Sequence, residues 1–144
     1  MMNDKTYTAR QGEIERQWFV VDATDQTLGR IATRVARVLG GKHKATWSPN
    51  LDGGDHVIVL NARKISVSAA KLATKSYQRH SGHPQGFKEE SLGKLLERRP
   101  EEVLRRAVKG MLPHTRLGAQ QLRKLKIYAG SDHPHQAQQP EPLA

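Results

Sequence analysis

The chain has 144 residues, room for one compact domain. With 24 Lys and Arg against 14 Asp and Glu, the formal net charge is +10 and the pI is near 10.2, which points to a polyanionic partner, nucleic acid or an anionic membrane. No apolar run approaches the ~20 residues that span a bilayer, and the absence of cysteine excludes a disulfide framework and a thiolate zinc site.

Met1 to Arg10 holds no apolar segment of secretory type, so no signal peptide is expected, and a reducing cytoplasm suits the composition. Only 5% of residues are aromatic, too few for extensive base stacking of the single-strand-binding kind.

In chain order, Trp18-Phe19-Val20-Val21 predicts a strand buried on both faces. Asp22 to Thr27 carries turn and N-cap residues. Leu28, Ile31, Ala32, Val35, Val38 and Leu39 share one helical face, so a helix is predicted over 28–39. Gly40-Gly41 ends it, because glycine tolerates the left-handed C-terminal position. Val57 to Leu60 predicts a second buried strand, and alternation at Ile65 and Val67 a short third one. Residues 71–88 lack periodicity and read as a basic arm or hairpin. Ser91 can cap a short helix containing Leu92, Leu95 and Leu96. Pro100 opens a further helix with Glu101 and Glu102 at its positive end. That helix presents Val103, Leu104, Ala107, Val108 and Met111, and Pro113 prevents its continuation. Leu117 to Lys124 predicts a turn or two of helix, and Lys126 to Ala129 a last short strand. Residues 131–144 read as an extended or disordered tail. Strand, helix, strand in the first 60 residues requires a crossover if the strands are parallel. The expected class is α/β, with helices covering a small sheet in a single domain over 1–144.

The placement of charge is more specific than its total. Gln26–Leu51, His56–Lys88 and Val103–Ser131 contain no acidic residue, yet hold 18 of the 24 cations. A surface that is merely soluble mixes both signs, so these windows suggest several segments facing phosphate. At ~100° per residue, Arg30, Arg34 and Arg37 lie within about 60° of one another, opposite the apolar face. An ordinary solvated helix face usually carries compensating carboxylates, and this one has none. Arg105, Arg106 and Lys109 repeat the design, facing away from Val103, Ala107 and Met111. Arginine suits phosphate because its planar fork donates paired hydrogen bonds. Further candidates for RNA contact are the Lys42-His43-Lys44 loop, Lys71, Lys75, Tyr77, Arg79, His80 and His83 in the arm, and Arg116, Arg123 and Lys124.

Enzyme motifs are absent. Gly40-Gly41-Lys42 follows a helix rather than opening one, so it is not a P-loop. There is no GxGxxG after Val21 and no GxSxG nucleophile elbow. Asp52 and Asp55 flank Gly53-Gly54, and a turn into the next strand is preferred over an acid/base pair. His80 and His83 form HxxH, and His133 and His135 form HxH. RNA contact, solvated loop residues and metal binding all fit these histidines. The metal reading has no HExxH and no cysteine to complete a site, and the basic context favours RNA.

Several stretches together resemble the bacterial family of large-subunit ribosomal protein thirteen. They are Trp18 to Thr24 with Thr27-Leu28-Gly29-Arg30, Gly41 to Lys44, Gly54 to Ala62, Tyr77 to His83, Val108 to Pro113, Leu125 to Gly130, His133-Pro134-His135 and Ala137 to Pro140. The resemblance covers roughly Lys5 to Pro140. It departs from the family pattern at Gln85-Gly86, where a glycine pair is usual. It departs again at His114-Thr115-Arg116, where Lys-Gly-Pro is frequent, and at Ala119, where a basic residue is common. The resemblance implies a three-layer α/β/α fold with a small, mainly parallel four-stranded sheet. It implies binding to large-subunit ribosomal RNA beside neighbouring ribosomal proteins, a part in subunit assembly, and a cytoplasmic location in the ribosome. Carried over by position as RNA contacts are Arg30, Lys42 to Lys44, Tyr77 to His83 and Lys109. No cofactor, metal, small-molecule substrate, membrane contact or catalytic residue is expected. The alternative is a non-ribosomal regulator that binds RNA or DNA, which shares the charge argument.

Overall fold

The computed structural model describes residues 9–143. β1 (Trp18–Asp22) and β2 (His56–Leu60) pair in parallel, with Trp18 opposite His56 and Asp22 opposite Leu60. Between them runs α1 (Leu28–Leu39), the crossover such a pair requires. Its apolar stripe buries Ile31, Ala32, Val35, Ala36, Val38 and Leu39, while Arg30, Arg34 and Arg37 stay exposed.

α2 (Ala69–Thr74) leads into an antiparallel hairpin of β3 (Ser76–His80) and β4 (Phe87–Ser91). α3 (Leu92–Arg98), α4 (Pro100–Met111) and α5 (Arg116–Arg123) follow, and then β5 (Leu125–Ile127) returns to the sheet beside β2. A two-residue strand, β6 (Glu141–Pro142), completes it, and the strand order is β5-β2-β1-β6, all parallel. Proline is acceptable there because β6 is an edge. Five helices around a four-stranded parallel sheet are in keeping with the three-layer α/β/α class.

Side chains alternate along the strands and divide the sheet into two faces. Val21, Val57, Val59, Leu125 and Ile127 join α1 and the Leu104, Val108 and Leu112 side of α4 in the main core. A satellite core of Leu92, Leu95 and Val103 supports the hairpin through Tyr77 and Leu72. On the opposite face the Trp18 ring stacks on His56 at 4.2 Å, and His135 of the tail lies 5.2 Å from Trp18. Tyr128 Oη and His135 Nε2 are hydrogen-bonded at 2.8 Å, and the Leu143 amide donates to the Val20 carbonyl at 2.9 Å. The tail is therefore laid across the second face before it pairs as β6.

Several sequence expectations need correction. β1 is not buried on both faces, since only Val21 is fully enclosed, whereas Val57 to Val59 of β2 are. Its outer neighbour β6 is two residues long and shields only part of it. The third strand at 65–67 is replaced by a 3-10 turn, Ala62–Lys64, and a single parallel bridge from Thr27 to Ser66. Asn61 enters that turn with φ at +56°, which carries the chain out of the sheet. The fourth strand comes instead from the tail. The short strand expected at 126–129 lies at 125–127, on the sheet edge beside β2. Residues 69–74, overlapping the expected arm, are helical. Ser91 occupies the N-cap position of α3 without a side-chain capping bond. Met111 is 47% exposed rather than part of the α4 core face, because α4 ends there and Leu112 turns inward in its place.

Candidate nucleic-acid interface

The loop after α1 is anchored by backbone contact. Gly41 adopts φ of +77°, and a Cβ on Gly54 would lie 1.9 Å from the Leu39 carbonyl oxygen, so only glycine lets the two segments meet. Asp55 is fully buried at this junction. It accepts from the Gln17 amide at 2.9 Å and from Lys44 Nζ at 2.5 Å, and its second oxygen is 2.7 Å from His43 Nε2. Asp52 receives Lys124 Nζ at 2.5 Å, and that ammonium also reaches the carbonyls of Gly54 at 2.8 Å and Leu39 at 3.3 Å. A cation at the last turn of α1 complements the helix dipole. Burial pushes the Lys124 ammonium below its ordinary pKa, with the Asp52 carboxylate opposing that shift.

Asp52 and Asp55 thus form neither an acid/base pair nor a plain turn. Each holds a lysine and fastens the basic loop to the sheet. Of the candidate RNA contacts, Lys124 is 6% exposed with its ammonium consumed internally, and it is not available to phosphate. His43 and Lys44 are tied to Asp55, which leaves Lys42 as the exposed cation of the loop. Two acids standing among basic windows were the available signal for this anchor. Their partners were not legible, because Lys124 lies 72 residues from Asp52.

The remaining candidates gather on three surfaces. Arg30, Arg34 and Arg37 line the outer face of α1, with no carboxylate partner among the described residues. Arg105, Lys109 and Arg123 surround a groove of about 640 Å³ between α4 and α5, joined by His114, which sequence reasoning did not single out. Thr115 caps α5 by accepting from the Gly118 amide, a role its side chain fills where the family pattern has glycine. Arg116 is exposed on the first turn of α5. Arg106 is not free in the same way, because it pairs with Glu102 at 2.8 Å and lies 4.9 Å over the Tyr77 ring.

The third surface is the hairpin. Its base is fixed by Tyr77, half-buried and flanked by Lys75 at 5.5 Å and by Arg106, and burial raises the phenol pKa. β4 also carries the acids that end the basic window. Glu89 accepts from Ser76 and Gln78, and Glu90 pairs with Arg98 at 2.7 Å. Beyond this base the register sets Arg79 directly opposite Lys88, and His80 opposite Phe87. Like charges facing each other across a strand pair are destabilising unless a counter-charge arrives. His80, His83 and Phe87 are all exposed towards the tip, and Lys71 is exposed on α2. Gln85 takes φ of +62° at the position where the family pattern has glycine.

The model of the family described as Ribosomal protein L13 matches residues 16–134. The chain belongs to the ribosomal protein L13 family. It is 59% identical over 137 residues to large ribosomal subunit protein uL13 of Roseiflexus sp. strain RS-1, covering 95% of this chain and 94% of that protein. It is 57% identical over 141 residues to the protein of the same name from Synechococcus elongatus, covering 98% and 93%. With that of Symbiobacterium thermophilum the identity is 56% over 140 residues, covering 97% and 98%. The L13 match spans all three cationic surfaces and the Asp55 anchor. The L13 family is structural, and the chain is not an enzyme.

Proposed function

We propose that the chain is a structural protein of the large ribosomal subunit that binds large-subunit ribosomal RNA and supports assembly of that subunit in the bacterial cytoplasm, beside neighbouring ribosomal proteins. The observation that carries the reading is the sorting of the cations. Lys44, Arg98, Arg106 and Lys124 are already paired with carboxylates of this chain. Arg30, Arg34, Arg37, Lys42, Arg79, Arg105, Lys109, Arg116 and Arg123 have no carboxylate partner among the described residues. They lie on separated faces, as an RNA that wraps a small protein would require. The name the relatives carry, large ribosomal subunit protein, supports the choice of RNA.

Each phosphate neutralised releases counterions, so affinity for the large-subunit RNA falls steeply with salt. The log–log slope is on the order of −0.7 to −0.9 per phosphate contact. A titration of that RNA across a salt series checks this, and a flat response contradicts it.

A further inference from the structure

Between the end of α1, the loop at 42–49 and the end of α4 lies a groove of about 810 Å³, within the size range of pockets that bury a small ligand. Its walls include Trp47, 43% exposed, and Met111, 47% exposed. Both are large apolar side chains left open to water in a chain with only two tryptophans. Arg37 and Lys42 stand at its rim without carboxylate partners among the described residues. The Lys42 ammonium lies 5.8 Å from the Trp47 ring centroid. Gln121 also lines the groove, is 4% exposed, and has a buried Oε1 with no hydrogen-bond partner. A buried acceptor without a donor is costly and rare in a finished structure.

We infer that this groove takes one unpaired nucleotide of the bound RNA, its base against Trp47 and Met111 and its phosphate between Arg37 and Lys42. The inference rests on the RNA-binding reading above and deepens it. An aromatic surface, a cationic rim and an unmet acceptor match the three chemistries of a splayed-out nucleotide. Unpaired bases stack on aromatic side chains and expose donors on their edges. The base N–H or amino group donates to Gln121 Oε1, and the phosphate receives the guanidinium and the ammonium. An apolar peptide segment would fill the walls but would leave Arg37 and Lys42 without a counter-charge.

The groove is distinct from the basic faces in what it reads. Arg30 and Arg34 meet backbone charge that every nucleotide carries, whereas the groove selects a position where the RNA is not base-paired.

The experiment footprints large-subunit RNA, bound by the purified protein, with reagents that modify unpaired bases. Wild type, Trp47→Ala and Trp47→Phe are compared, and thermal melts confirm that each is folded. The wild-type protein shields an unpaired base, Trp47→Ala loses that shield and binds about fivefold to a hundredfold more weakly, the range of one lost base–aromatic stack, and Trp47→Phe restores it. Equal affinity and an unchanged footprint with Trp47→Ala overturn the inference and leave RNA binding standing. Failure of the wild type to bind the RNA overturns both. If Trp47 escapes oxidation only in the complete subunit, and not on bare RNA, the occupant is a neighbouring protein and the nucleotide is wrong.

Discussion

Two residues show how single side chains hold this basic chain together. Asp55 is buried and serves Lys44, His43 and the Gln17 amide at once. Asp55→Ala removes the carboxylate from His43 and the Gln17 amide, and leaves Lys44 Nζ with the Glu15 carbonyl at 2.7 Å, at the junction of α1, β2 and the segment before β1. Removing one partner of a buried pair costs about 3–5 kcal/mol. Because Lys44 is 23% exposed and can turn to water, the low end, about 3 kcal/mol, is expected in a denaturant titration. His56 is the second. Burial pushes its pKa down, and Lys124, Arg16 and Lys126 push the same way against Asp55. Its Nδ1 is buried without a partner, so a proton there would have no acceptor. The unfolded chain takes up that proton near pH 6.5 and the folded chain only at lower pH. Unfolding therefore binds a proton in this window, and stability present above pH 6.5 is lost as pH falls through the folded value. The melting temperature of wild type should fall between pH 7.5 and pH 5, and His56→Gln should flatten that fall. An identical pH dependence in the variant contradicts the assignment.

At the scale of elements, the proposed function makes α1 separate folding from binding along its own circumference, with its apolar stripe buried and Arg30, Arg34 and Arg37 exposed. Arg30→Ala, Arg34→Ala and Arg37→Ala together remove three charges and no buried contact, and alanine favours helix. Stability should shift by within about 0.5 kcal/mol per site, while RNA affinity drops tenfold or more, since about 1.4 kcal/mol is a factor of ten. Val35→Ala acts in the opposite sense. It empties a fully enclosed position and costs on the order of 1–3 kcal/mol, with RNA affinity of the folded fraction little changed. A thermal melt and an RNA titration on both variants check this. An early melt with normal binding in the arginine variant makes those residues structural.

Helix α1 was legible in the sequence because its period, its glycine stop and its charge face agree. So were β2 and most of α4. The strand expected at 65–67 was not, because alternation over four residues does not reveal the left-handed Asn61 that turns the chain away. The tail strand β6 carries no strand signal at all. Its pairing depends on the long-range seat made by Trp18, His56 and His135. Among the site residues, exposure on α1 followed from periodicity. The burial of Lys124 and the tethering of His43 and Lys44 follow from contacts across the fold, which no local pattern encodes.

For the whole molecule, opposite charges join the segments internally and unopposed cations face outward. The Asp52 and Asp55 anchors, the satellite core under the hairpin and the tail across the second sheet face keep those cations at fixed separations. If, as proposed, large-subunit RNA supplies the counter-charge, the protein should remain with the particle that contains that RNA. A non-ribosomal regulator with the same surfaces would not travel with a subunit. The most direct measurement is sedimentation of cell extract through a high-salt gradient, with this chain quantified in every fraction. A structural protein of the large subunit co-sediments with that subunit. Recovery at the top of the gradient, or with the small subunit, would contradict a structural role in the large subunit.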